Sequence, residues 1–409
     1  MSQQTFVIVG ASLAGAKAAE ELREQGFDGR VLLIGSETER PYERPPLSKG
    51  YLQGESEREK VYVHEAGFYE EKDIDLRSGE TVESIDPGGG RVRLEGGEEI
   101  EFDRLLLSTG AEPRVLHVPG ADLDDVHYLR TVGDSDKLRE RFAKGGHLVV
   151  VGAGWIGSEV AASARQKGLE VTLIDPLKLP NEKLFGEEIG SFYRDVHASH
   201  GVNLLLGQGV DALEGDGSVS RVRTSEGQTV DCDFVAIGVG VIPRVVLAER
   251  AGLEVDNGIL VDERLRTSAE NVFAAGDVAH HAHPFFGRRI RVEHWANALN
   301  QGPAAARAML GDDAPYERLP YFFSDQYDVG MEYSGYVTQW DEVVFRGERD
   351  GGEFIAFWLS DGRVVAGMNV NVWDVNEHVQ AIIRSRRLID KQALSDPETP
   401  LESLASGPA

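Results

Sequence analysis

Residues 148–176 read LVVVGAGWIGSEVAASARQKGLEVTLIDP. An apolar, β-branched run leads into a glycine turn. A helix of small residues follows, Gly168 stops it, and a second apolar run ends on Asp175. That order is the strand–helix–strand unit that binds a dinucleotide. Gly152 permits the tight turn, Gly154 lets the backbone approach a pyrophosphate, and Gly157 lets helix and strand pack closely. The helix start offers unpaired N–H groups and a positive dipole end to phosphates. Asp175 stands where a carboxylate accepts from both ribose hydroxyls, and no arginine follows it closely to receive a 2′-phosphate. NADH is therefore expected in preference to NADPH.

The pattern occurs twice. Residues 6–37, FVIVGASLAGAKAAEELREQGFDGRVLLIGSE, run strand, turn, helix, Gly26, strand in the same order. Here the turn carries Gly10, Ser12 and Gly15, with serine in the middle position, small enough to keep the approach open. Ala14 falls at the tightest point, and Ser36 and Glu37 follow the second strand as candidates for the ribose contact. One glycine-bearing turn can be merely structural; two at this spacing predict two dinucleotides, and FAD with NAD is the economical pair. LLLSTGAEPR (105–114) ends an apolar strand at Thr109 and Gly110, a natural crossing between domains. NVFAAGDVA (271–279) ends another at Gly276 and Asp277, where the plain reading is a turn and the functional one is a carboxylate for the ribityl hydroxyls.

Composition narrows the class. The 409 residues allow two or three domains, and 47 glycines point to many tight turns. A net charge of −27 argues against nucleic acid and anionic membranes as partners. No apolar run approaches the ~20 residues of a membrane span, and a strand begins almost at the N-terminus, so a cytoplasmic location is expected. The single cysteine, Cys232, leaves no partner for a redox disulfide and too few ligands for an iron–sulfur cluster. It is expected as a buried strand residue. The three histidines of HHAHP (280–284) read as a polar loop, and no metal is expected.

PYERPPLSKGYL (41–52) adds the most specific signal, supported in order by YLRT, GWIGSEVAA, GDVA, EHWANAL and SDQYD. Together these resemble the flavoprotein ferredoxin reductases of bacterial oxygenase systems, the putidaredoxin reductase, rubredoxin reductase and Rieske dioxygenase reductase family, with apoptosis-inducing factor more distant. The match covers essentially the whole chain. The resemblance implies an α/β protein of the glutathione-reductase-like type, with two Rossmann-like domains. An FAD domain is expected from 1–112 and 240–318, with an NAD domain at 113–239 inserted. DEVVFRG, FIAFWLS and RVVAGMNVNV then read as short strands and NEHVQAIIRSRRLI as a helix, giving a small α+β domain over 319–409 with a loosely held tail from Leu394.

The same resemblance assigns residues. Pro45 and Pro46 would stiffen a loop along the cofactor and deny it helix until about Leu47. Arg44 would meet FAD, Lys49 would lie beside the isoalloxazine, Val82 on the adenine side, and Arg130 near the phosphates. Trp295 would approach the flavin from a helix start whose positive end favours the reduced ring, and Pro303 would kink that helix or mark a new turn. Glu159 would stand near the nicotinamide and pair with Lys49, with Ile156 beside the hydride path. Two positions depart from the family: Ser36 stands where relatives often carry an acid, leaving the ribose to Glu37, and Phe323 stands where many have tryptophan.

Electron counting completes the expectation. NADH gives two electrons as hydride, a [2Fe–2S] ferredoxin takes one at a time, and a flavin converts between them. Hydride transfer needs alignment more than acid or base, so Lys49 and Glu159 are expected to position and tune, with no proton-transfer residue. Ferredoxins are typically acidic, so Arg288, Arg289 and Arg291 are candidates for docking; Arg384, Arg386 and Arg387 form a second cluster that solvation explains as well. An NADH:quinone or NADH:oxygen oxidoreductase and an apoptosis-inducing-factor-like redox sensor remain open on the same fold.

Overall fold

The structure is a computed structural model that describes residues 3–406. The chain divides into two compact units. The first comprises Met1–Arg44, Glu57–Glu112 and Val241–Pro320; the second comprises Pro45–Ser56, Pro113–Gly240 and Tyr321–Ala409.

In the first unit five parallel strands lie in the order Val272–Ala274, Arg104–Leu107, Thr5–Val9, Arg30–Gly35, Ile74–Ser78. They read as continuous apolar runs because the sheet core is buried: Val7, Ile8, Leu32, Leu33, Leu105, Leu106 and Leu107 have no exposed surface. Helix Leu13–Glu24 crosses between the first two strands of the repeat and packs against helix Trp295–Met309. A Cβ on Gly302 would lie 2.2 Å from the Ala14 carbonyl oxygen, so glycine sets that close approach. Pro303 is carried inside the one helix, with no separate turn.

The second unit repeats the parallel arrangement with Asn203–Leu206, Glu170–Asp175, His147–Val151, Phe234–Ile237 and Val126–Tyr128. Helix Trp155–Gln166 follows the central strand. The unit also holds a five-stranded antiparallel sheet in the order Tyr321–Gln326, Val329–Gly335, Arg363–Val370, Glu353–Ser360, Glu342–Glu348, against which helix Asn376–Ser385 packs. Three of those strands are the expected ones; the expected helix forms but stops at Ser385, where Arg386 turns left-handed, and Leu388 bridges to Arg363 instead.

Four local expectations are corrected. The segment from Leu394 is not loosely held as far as it is described: Leu394 and Leu401 are buried, and helices Lys391–Ser395 and Leu401–Ser406 form. The buried Arg346 guanidinium donates to the carbonyls of Leu394 at 3.5 Å, Pro397 at 3.1 Å and Thr399 at 2.6 Å, which ties the segment down. Residues 407–409 lie outside the described residues. HHAHP is a strand rather than a loop, since Ala279–His283 pairs antiparallel with Arg288–Arg291 and turns His281 and His283 inward. Among the described residues no group of three or more His, Cys, Asp or Glu side chains could hold a metal ion. Pro45 and Pro46 do not postpone the helical turn but open it, as Pro45–Ser48 is a 3₁₀ turn; proline lacks only an N–H that a first turn leaves unused. Cys232 is buried but lies just past strand Thr229–Asp231, and burial pushes its thiol up to about 12.

Buried histidines predict acid lability. Burial holds His197 down at about 4 and His281 at about 3, against an ordinary value near 6.5. With the folded value depressed, their contribution is fully present above pH ~6.5 and is lost as pH falls toward 4, because the unfolded chain binds the protons. The loss should be on the order of 2 kcal/mol per histidine at pH 5. Urea midpoints measured between pH 7.5 and 5 should fall accordingly, and His197→Gln should reduce the slope. A flat pH dependence would refute the assignment.

Candidate functional site

The first cradle follows strand Thr5–Val9. Gly10 has φ +119, and a Cβ there would lie 2.2 Å from the Ser108 carbonyl oxygen. A Cβ on Gly15 would lie 2.1 Å from the Gly10 carbonyl oxygen. Both glycines are therefore fixed by space. Ser12 is the N-cap of helix Leu13–Glu24 but makes no side-chain cap, leaving the helix start uncapped by any hydroxyl. Ala14 is buried against Gly276, whose Cβ position lies 3.3 Å from the Ala14 methyl. Gly276 has φ +81 and donates its N–H to Gln301 Oε1 at 2.9 Å. Gln301 and Gly302 were not singled out from the sequence; both sit on the helix opened by Trp295 and fix where that helix meets the glycine turn.

Beside this cradle, Glu37 accepts from the Tyr42 hydroxyl and, at 3.0 Å, from Arg44 Nη2. Burial opposes the Arg44 charge, but Tyr42, Glu37 and Asp277 around it hold its pKa above the ordinary value. Arg44, Glu37 and Asp277 thus share one electrostatic neighbourhood. Ser36 is exposed, so of the two ribose candidates only Glu37 is built into a network. Asp277 lies in the short turn Gly276–Val278, and its carbonyl accepts from Arg291 Nη1 at 3.2 Å. Thr109 donates its hydroxyl to the Arg244 carbonyl at 2.9 Å, and Gly110 has φ +69. Val82 is half-buried at the start of strand Val82–Asp86. Trp295 is the first residue of its helix, behind His294 as N-cap.

The second cradle is tighter. Gly152 has φ +104, with the Gly238 carbonyl oxygen 2.3 Å from its Cβ position; a Cβ on Gly157 would lie 1.9 Å from the Gly152 carbonyl oxygen. Gly154 differs, having no atom within 4 Å of its Cβ position. The middle glycine thus faces open space, as a pyrophosphate approach requires, and as N-cap it offers no side chain. Asp175 accepts from Ala153 N–H at 2.6 Å through Oδ2 and from Leu177 N–H at 2.8 Å through Oδ1. Its carboxylate therefore shapes the glycine turn as well as being placed for a ribose. Ile156 is 45% exposed, unusual for a large apolar side chain on a helix start. Arg130 precedes helix Val132–Ala143, its N–H on Asp134 Oδ2 at 3.2 Å.

Lys49 and Glu159, far apart in sequence, meet in this unit. Glu159 is 3% exposed, and its Oε2 accepts from Lys49 Nζ at 2.9 Å and from Ser48 Oγ at 2.5 Å. Its Oε1 accepts from Ser324 Oγ at 2.7 Å. Lys49 Nζ also stands 5.5 Å from the centroid of the Phe323 ring, a cation–π distance that phenylalanine provides without an indole. The two serines were not singled out, although both lie in stretches that carried the resemblance, PYERPPLSKGYL and SDQYD.

Of the docking candidates, Arg288 is exposed on its strand. Arg289 donates to the carbonyls of Val261 at 2.5 Å and His280 at 3.1 Å. Arg291 has a side chain only 10% exposed and bonds Glu293, Asn257 and the Asp277 carbonyl, so it is a structural residue of the first unit. Arg386 caps its helix in a left-handed conformation, and its carbonyl accepts from Arg363.

The uncapped helix starts and glycine-lined turns fit dinucleotide phosphates in both units. Residues 4–302 match the pyridine nucleotide-disulphide oxidoreductase family, and residues 321–405 match the reductase C-terminal family. The chain is 40% identical over 368 residues to rhodocoxin reductase of Rhodococcus erythropolis, across 90% of this chain and 86% of that one. It is 39% identical to the ferredoxin–NAD(+) reductase component of the anthranilate 1,2-dioxygenase system of Burkholderia cepacia, across 98% of this chain and 100% of that one. The solved ferredoxin reductase for the CYP199A2 system from Rhodopseudomonas palustris superposes with a TM-score of 0.95 at 37% identity, covering 98% of this chain and 100% of that one. No helix among the described residues is long and apolar enough to cross a membrane. Matched along both of its parts, the chain belongs to the pyridine nucleotide-disulphide oxidoreductase family and, within it, to the FAD-dependent, NADH-linked ferredoxin reductases of bacterial oxygenase systems.

Proposed function

We propose that this chain, acting in the cytoplasm, passes electrons from NADH through FAD to a [2Fe–2S] ferredoxin that feeds a monooxygenase or a Rieske-type dioxygenase. NADH and two oxidised ferredoxins yield NAD⁺, a proton and two reduced ferredoxins. The observation that carries this reading is the pair of glycine cradles in a chain with a single cysteine. Two coenzymes are accommodated, and no disulfide exists within the chain to receive the electrons.

The FAD domain is assigned to 1–112 and 240–318, the NAD domain to 113–239 and the C-terminal domain to 319–409. For FAD, the proposed contacts are Gly10, Ser12, Ala14, Gly15, Glu37, Arg44, Val82, Thr109, Gly110, Arg130, Gly276, Asp277 and Trp295. Bound FAD supplies the change from two-electron to one-electron transfer. For NADH, Gly152, Gly154 and Gly157 receive the pyrophosphate, Asp175 the ribose, and Ile156 packs by the nicotinamide. Lys49 is the fixed cation that favours the negative charge of the reduced ring, and Glu159 holds Lys49 in place.

Anaerobic mixing of the purified yellow protein with NADH should bleach it far faster than mixing with NADPH. Cytochrome c reduction should need added ferredoxin. Rapid cytochrome reduction without any iron–sulfur protein would overturn the partner assignment. For docking, the proposed residues are Arg288 and Arg289, both exposed on strand Arg288–Arg291. Arg288→Glu should slow ferredoxin reduction about tenfold at low salt while ferricyanide reduction by NADH is unchanged. Equal loss with both acceptors would rule out a docking role.

A further inference from the structure

Burying the Glu159 carboxylate is costly unless its lone pairs are met. Lys49 and Ser48 meet one oxygen, and both come from the segment that follows the paired prolines. The other oxygen is met by Ser324, from strand Tyr321–Gln326 of the C-terminal sheet. Ser324 is itself 1% exposed. Its Oγ, while donating to Glu159 Oε1, accepts from Gln326 Nε2 at 3.3 Å, and Gln326 is likewise buried. Strand alternation puts residues 324 and 326 on one face, so the strand delivers a serine already held by its neighbour. The opposite side is braced too, since Ser163 Oγ donates to the Ser48 carbonyl at 2.7 Å.

A second acid lies nearby: Asp325, exposed on the opposite face of the same strand, feels the charges of Lys49 and Glu159. Tyr193, on helix Glu182–Ser199, is buried and feels the charges of Glu159 and Asp325. Of these two acids it is Glu159 that pairs with Lys49, at 2.9 Å, and both serine hydroxyls donate to it.

We propose that Ser324, braced by Gln326, is a positioning residue that keeps the Glu159 carboxylate turned to Lys49, giving the C-terminal sheet a part in hydride transfer. This rests on the reading that Lys49 and Glu159 act in that step. Without the Ser324 hydroxyl, Oε1 of a buried carboxylate loses its donor and the side chain is no longer held toward Lys49. Lys49 then loses its fixed partner.

The test uses the oxidised holoprotein and its Ser324→Ala, Ser324→Thr, Gln326→Leu and Glu159→Gln variants. Stopped-flow bleaching of the flavin over a range of NADH concentrations separates the limiting rate of hydride transfer from the Kd for NADH. In Ser324→Ala the limiting rate should fall about tenfold while the Kd stays within about twofold. Ser324→Thr should restore the rate, and Gln326→Leu should lower it partway. A limiting rate unmoved in Ser324→Ala and Gln326→Leu overturns the inference, as does a loss that Ser324→Thr fails to restore. If Glu159→Gln itself leaves hydride transfer unchanged, the role of Glu159 falls, and the positioning role of Ser324 falls with it.

Discussion

A Gly15→Val variant should leave the purification column without colour. The Cβ would stand 2.1 Å from the Gly10 carbonyl oxygen and 3.1 Å from a Leu33 methyl, so the turn must open to admit it. Overpacking of this kind costs about 3 kcal/mol, which is about a hundredfold in affinity where the strained turn is also the binding surface. Flavin content per chain, read from the visible spectrum after denaturation, should fall to a small fraction of the parent's. The matching change in the second cradle, Gly157→Val, places a Cβ 1.9 Å from the Gly152 carbonyl oxygen. That variant should stay yellow while its KM for NADH rises by a comparable factor. The pair separates the coenzymes: loss of flavin from Gly157→Val with retention in Gly15→Val would mean the two cradles had been assigned in reverse.

The second large effect concerns charge burial. In Lys49→Met the Glu159 carboxylate keeps two hydroxyl donors and loses its counter-ion at 3% exposure. Removing one member of a buried pair costs about 3–5 kcal/mol, chiefly because the other charge is stranded. The double variant Lys49→Met/Glu159→Gln should recover most of that stability, since no buried charge is left uncompensated. Urea unfolding of the parent, both single variants and the double variant gives the coupling directly. Additive losses in the double variant would show that the two side chains do not depend on each other. Hydride transfer should stay slow in the double variant, because stability returns without the cation.

The parallel strands and both glycine turns were legible because local sequence dictates them. An apolar run has to be buried, and Gly152 and Gly157 occupy positions where any Cβ meets backbone within 2.3 Å. The Lys49–Glu159 pair was legible only through the resemblance, since no local pattern announces a contact between residues 110 apart. The bonds of Ser324 and Gln326 were not legible, although SDQYD carried part of the resemblance, because which face of that strand is buried is decided by tertiary packing. The tail from Leu394 was misread for the same reason. Its composition looks like a solvated end, but a distant buried arginine supplies the partners its carbonyls need. HHAHP misled by composition too, because histidines that alternate inward on a strand read like a polar turn.

The Asp175 carboxylate, with one oxygen on Ala153 N–H and the other on Leu177 N–H, bears on any attempt to redesign the coenzyme preference. Exchanging this acid for a neutral or basic side chain, the usual first step toward accepting a phosphorylated adenosine, would also unpin the backbone that forms the cradle. Switching this enzyme to NADPH should therefore begin with cations introduced beyond Leu177, keeping the aspartate as scaffold, and redesigns that start at residue 175 should lose affinity for both coenzymes before gaining it for either.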